Sequence, residues 1–111
     1  MKKILITLTF IFSLNLNAQK QFEGSWTSKT SDYVTTIIAS DYAILKVFNF
    51  SFEDDHYIKE EIIEQNNNEF TTKLYNKRNG YEVLVKYYFL EEKLYCRFFG
   101  DFDGVVQMYK K

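Results

Sequence analysis

Few residues in this chain have the types and spacing that chemistry uses. Asp54-Asp55-His56 sets two carboxylates beside an imidazole, the donor types of a metal centre. Catalytic zinc takes three protein ligands with histidine prominent, and His56 is the single histidine of the chain. The triplet therefore reads as a charged turn. Asp101-Phe102-Asp103-Gly104 carries part of a calcium loop, but the remaining ligands and the closing bidentate Glu are missing. Acidic residues with glycine are also what a hairpin loop uses. Glu60-Glu61 and Glu91-Glu92 are paired carboxylates. Neighbours on a strand point to opposite faces, so the first pair cannot act together, and the second reads as a turn. Cys96 is the sole cysteine, which excludes an internal disulfide. Its expected inward position makes it a small inert hydrophobe. No serine stands in a nucleophile elbow, and His56 would be the only imidazole base. These residues predict a non-enzymatic protein with no cofactor and no metal site.

The elements that position these residues read as strands throughout. Alternating, β-branched or aromatic runs occupy 22–28, 33–39, 43–52, 56–65, 69–77, 81–90, 93–99 and 105–110, joined by short polar connectors. Eight short strands at near-regular spacing indicate an all-β sandwich or barrel. Residues 56–65 are the most ambiguous run, because Ile58, Ile62 and Ile63 among glutamates also suit one short helix. The expected architecture is an antiparallel up-and-down meander forming a small barrel or curled sheet.

Turn chemistry extends this to register. Asn79-Gly80 is a strong signal for a two-residue type I′ hairpin. That loop places Thr72 opposite Tyr87 and Leu74 opposite Val85. Glu91-Glu92 as a second two-residue loop places Tyr87 opposite Cys96 and Val85 opposite Phe98. One face then carries Phe70, Thr72, Leu74, Val83, Val85, Tyr87, Phe89, Leu94, Cys96 and Phe98, joined by Val106 and Met108. This is the core face. On the other face Lys73, Lys86 and Arg97 form a cationic row, with Tyr75, Leu84 and Phe99 on one side and Tyr88 and Tyr95 on the other. Glu60 or Glu61 on the preceding strand is expected to reach Lys73, with Glu82 a diagonal neighbour.

A solvated face with compensating charges is the plain reading of that row. The functional reading is a binding patch, because exposed aromatics rimmed by polar groups mark interaction sites. Arg97 and Lys86 would hold an anionic group while Tyr88 and Tyr95 stack on a partner. The expected partner is a protein, a glycan or a small anionic ligand. A homodimer burying the face is the third possibility.

Phe22-Glu23-Gly24-Ser25-Trp26 contains a Gly-x-Trp. With the eight-strand meander it resembles the start of the lipocalins and their barrel relatives. The resemblance implies an up-and-down barrel whose mouth admits an apolar ligand, with Trp26, Tyr87 and Phe98 as interior contacts. It also implies that a basic residue near the chain's end, Lys110 or Arg97, packs across Trp26. The alternative is that Trp26 is a large core residue closing one end of the barrel. A carrier would hold a connected cavity of roughly 300 Å³ or more. A surface-binding module would have a packed interior.

Residues 1–18 run Met-Lys-Lys, then a nearly unbroken apolar stretch to Leu14, then Ala18. This is the pattern of a secretory signal peptide, and its compact form suggests a bacterial source. The expected mature domain is 19–111, secreted or periplasmic. The whole chain has 11 Phe, 9 Tyr and 1 Trp, and all but two of the Phe fall within 19–111, supplying apolar area for a small core without disulfides. The net charge is −1, two units lower once Lys2 and Lys3 are removed. That balance excludes the basic footprint of a nucleic-acid binder, and 19–111 contains no run long enough for a membrane helix.

Overall fold

A computed structural model describes residues 19–51, 55–66 and 68–111. The expected signal segment 1–18 lies outside them, as does Asp54. The chain forms eight antiparallel strands: β1 (Gly24–Thr27), β2 (Tyr33–Ala39), β3 (Ile44–Ser51), β4 (His56–Gln65), β5 (Glu69–Asn76), β6 (Tyr81–Leu90), β7 (Lys93–Gly100) and β8 (Gly104–Lys110). Each pairs with the next, and β1 pairs with β8, so the meander closes into an up-and-down barrel. Closure leaves no open sheet edge. Residues 56–65 are a strand. Every potential helical period there is overridden by pairing to Val47–Ser51 on one side and Phe70–Leu74 on the other.

Alternation sorts the side chains. Phe70, Thr72, Val83, Val85, Tyr87, Leu94, Cys96 and Met108 are buried, while Leu74, Phe89, Phe98 and Val106 are partly buried against them. The expected core face is therefore the interior of the barrel. The β6–β7 register agrees as well: Tyr87 faces Cys96 and Val85 faces Phe98.

The β5–β6 register corrects the expectation. Leu74 pairs with Val83, and Thr72 with Val85. The connection is the four-residue loop 77–80, not a two-residue turn. A type I′ turn needs positive φ at both central residues, and here Gly80 (φ 75°) has it while Asn79 does not. Local bonds hold the longer loop instead. The Asn76 Oδ1 accepts from the Arg78 N–H at 3.0 Å, and the Asn79 Oδ1 from the Tyr81 N–H at 2.9 Å. The slip is two residues, so faces are preserved while neighbours change.

The β6–β7 turn takes the I′ form with two glutamates, at φ 52° for Glu91 and 68° for Glu92. Left-handed backbone costs a residue with a Cβ roughly 1–2 kcal/mol. Replacing the pair (Glu91→Asn with Glu92→Gly) is expected to raise unfolding stability by about 1 kcal/mol after glycine's entropy is counted. Denaturant melts check this, and an unchanged or lowered midpoint would show that the turn carries no strain.

One end of the barrel is plugged. A 3-10 turn (Lys20–Phe22) drives Phe22 inside. The Phe22 ring lies 4.9 Å from both Phe70 and Phe89, edge-on to the former. Ile37, Val47 and Leu94 are fully buried as well. The other end, bounded by the β1–β2, β5–β6 and β7–β8 connections, is open.

Candidate functional site: a cavity with a buried carboxylate

A cavity of about 570 Å³ enters from the open end. Ser28, Thr30 and Ser31 from the β1–β2 loop, Asn76 at the end of β5 and Asn79 from the β5–β6 loop border it, together with Phe102 from the β7–β8 loop. Its walls are mainly apolar or aromatic: Tyr33, Ile58, Leu74, Tyr81, Val83, Phe98, Val106 and Met108. Deeper polar groups converge from neighbouring strands. Thr35 (β2), Asn49 (β3), Glu60 (β4) and Tyr87 (β6) all line it.

Glu60 is the centre of that group and is 2 % exposed. Its Oε1 accepts from the Thr72 hydroxyl at 2.5 Å and from the Tyr87 hydroxyl at 2.7 Å. Its Oε2 accepts from the Asn49 Nδ2 at 2.5 Å and stands 2.9 Å from the same Tyr87 hydroxyl. The Thr35 hydroxyl donates to the Asn49 Oδ1 at 2.6 Å, which orients that amide with its NH₂ toward Glu60. The carboxylate thus gathers donors from three other strands. No lysine or arginine lines the cavity among the described residues. Burial pushes the Glu60 carboxyl above the ordinary carboxylate range, opposed by its three hydrogen-bond donors. Burial, and then the charge of Glu60, push the Tyr87 hydroxyl and the Cys96 thiol well above their usual values. Both stay protonated at neutral pH, and Cys96 has no thiolate to react with.

The interior contacts implied by the lipocalin resemblance divide. Tyr87 and Phe98 line the cavity. Trp26 does not. It belongs to the closed end, with its Nε1–H donating to the Phe22 carbonyl at 3.0 Å and its ring 6.0 Å from Phe89. It is the core residue that closes the barrel. The basic partner is Lys110: its Nζ lies 4.7 Å from the Trp26 ring centroid and donates to the Glu23 carbonyl at 2.7 Å. Arg97 lies instead over Phe99, 5.0 Å away. The glycine before Trp26 has a steric reason. A Cβ on Gly24 would stand 2.5 Å from the Lys110 Nζ, and its φ is 138°.

On the outside, Lys86 pairs with Arg97, but Lys73 faces Leu84. The three-residue cationic row is therefore broken by the two-residue slip. Two of its members are also neutralised. Lys73 bridges Glu82 at 2.9 Å, and Lys86 bridges Glu69 at 3.1 Å. Glu61 sits beside Lys73 in register while Glu60 turns inward. Tyr88 and Tyr95 stack at 5.8 Å between centroids, and Tyr75, Leu84 and Phe99 are exposed. The expected residues do share one face, but as two ion-paired lysines around aromatics rather than as a cationic stripe.

Sequence reasoning missed Glu60 as an interior group. Its parity was legible, since Ile58 and Ile62 lie two positions to either side. Its partners are 11 to 27 residues away in sequence on other strands, beyond any local pattern. Among the described residues no cluster of three or more potential metal ligands occurs. No known protein-family model matches the chain, and neither the curated proteins nor the solved structures yield a match.

Proposed function

We propose that this protein is a non-enzymatic carrier that holds a small, largely apolar molecule inside its barrel, in the manner of lipocalins, after export directed by residues 1–18. The observation that carries the reading is the cavity of about 570 Å³, open at one end and plugged at the other. It exceeds the roughly 300 Å³ at the lower end of small-molecule sites, and apolar walls with few convergent polar groups are what such sites use. The Gly24–Trp26–Lys110 arrangement supports the lipocalin comparison. The outer face supports a second reading, surface binding through Arg97, Tyr88, Tyr95 and Phe99. It ranks below the first because its lysines are already ion-paired and exposed pairs of that kind are solvated rather than poised.

Fluorescence titration with the neutral apolar probe N-phenyl-1-naphthylamine tests the choice. The protein is expected to bind one probe per chain. Val106→Phe, which puts a ring into the cavity, is expected to weaken binding by at least about tenfold, with circular dichroism confirming an intact barrel. Arg97→Ala on the outer face is expected to leave binding unchanged. Probe binding that ignores Val106→Phe and responds to Arg97→Ala would transfer the function to the outer face.

A further inference from the structure

We propose that the molecule this cavity selects is a protonated amine on an apolar, ring-sized body, its ammonium group seated against Glu60. The inference rests on the carrier reading and adds the chemistry of the ligand.

Glu60 is the cavity's carboxylate, and no lysine or arginine lines the walls among the described residues. The titratable groups facing it are Tyr87 from β6 and Cys96 from β7, both held neutral. β3 and β5 present only Asn49 and Thr72. On β4 itself His56 lies four residues away, roughly 13 Å at ~3.3 Å per residue. A buried carboxylate left without a countercharge is costly, and a cation supplied by a ligand removes that cost.

Geometry agrees. Every bond of the network delivers a proton toward Glu60, and Thr35 holds Asn49 in the orientation that does so. The arrangement suits an ionised acceptor. A carboxylate offers about four lone-pair sites, and Thr72, Asn49 and Tyr87 are its three donors. The single Tyr87 proton is shared between both oxygens, so its settling on one of them frees a site on the other for a further N–H. A carboxylate or phosphate ligand would meet Glu60 with like charge and no basic partner. Around the carboxylate, Leu74, Val83, Phe98, Val106 and Met108 offer apolar walls, and Tyr81 and Phe102 add rings that tolerate a cation in passage.

An isosteric fluorescent series tests this on the intact protein at pH 7: 2-(1-naphthyl)ethylamine, 2-(1-naphthyl)ethanol and 1-naphthylacetate. The amine is expected to bind at least about tenfold more tightly than the alcohol, a gap typical of a desolvated charge-assisted bond, and the acetate is expected to bind weakest. Glu60→Gln is expected to erase the preference of amine over alcohol while alcohol binding stays within about threefold, which separates loss of charge from loss of fold. If alcohol and amine bind equally to the native protein, or if the acetate binds best, the amine proposal is overturned while the carrier reading stands. If none of the three binds and N-phenyl-1-naphthylamine does not either, both are overturned.

Discussion

Phe70→Ala is expected to cost the fold about 3–5 kcal/mol, the usual loss for a large aromatic removed from a core. Phe70 is 1 % exposed and meets the plug on one side and the cavity floor on the other. Its ring is edge-on to Phe22 at 4.9 Å and stacked on Tyr87 at 4.5 Å with an interplanar angle of 11°. Tyr87 in turn holds both oxygens of Glu60. The substitution opens a void between plug and floor that neighbouring strands, closed into a ring, cannot collapse to fill. A domain of this size has about 5–15 kcal/mol in total, so the variant should unfold at much lower denaturant and lose probe binding with it. Phe102→Ala at the mouth, where the ring is 44 % exposed, is expected to cost less than about 1 kcal/mol. Equilibrium urea melts of the two variants give the comparison. Equal midpoints would mean that the closed end is no better packed than the open one.

The second large effect concerns pH, and its direction is opposite to that of a salt-bridged carboxylate. Burial raises the Glu60 carboxyl above its ordinary value near 4.5 in the folded protein. Below that ordinary value the group is protonated whether the chain is folded or not, and its contribution is fully present. As pH rises, the unfolded chain releases the proton first while the folded chain retains it, so stability is lost until pH passes the folded value. Glu60→Gln removes this titration. The amide is accommodated with its oxygen toward the Asn49 Nδ2 and its NH₂ toward the Thr72 and Tyr87 hydroxyls, which rotate to accept. Urea melts of both proteins between pH 4 and 8 are expected to show the native protein losing stability relative to Glu60→Gln as pH rises. The exposed Lys20–Glu23 and Lys73–Glu82 pairs are common to both proteins and cancel in that difference. A flat or rising difference would place Glu60 in a wetter setting than its network implies.

The strands, their order and the side each residue faces are legible in the amino-acid pattern. The reason is that side-chain direction on a strand has period two. Tyr87, Val85 and Cys96 could be assigned to the interior from the Glu91-Glu92 turn alone, and the two-residue error after Asn79-Gly80 left every face unchanged. The same period hid that error, because the alternation at Thr72 reads identically opposite Val85 or Tyr87. Which residues became neighbours depended on the three-dimensional fold. The loop 77–80 took a four-residue form through the Asn76 and Asn79 side chains, and that moved Lys73 away from Lys86 and beside Leu84, within reach of Glu82. Only closure of β1 on β8 made an inside large enough for a cavity. Only that inside brought Asn49, Thr72 and Tyr87 around Glu60. A glutamate on an exposed strand face and one in a closed barrel look alike in the sequence. Burial is a property of everything around the residue, and here it comes from strands far apart in the chain.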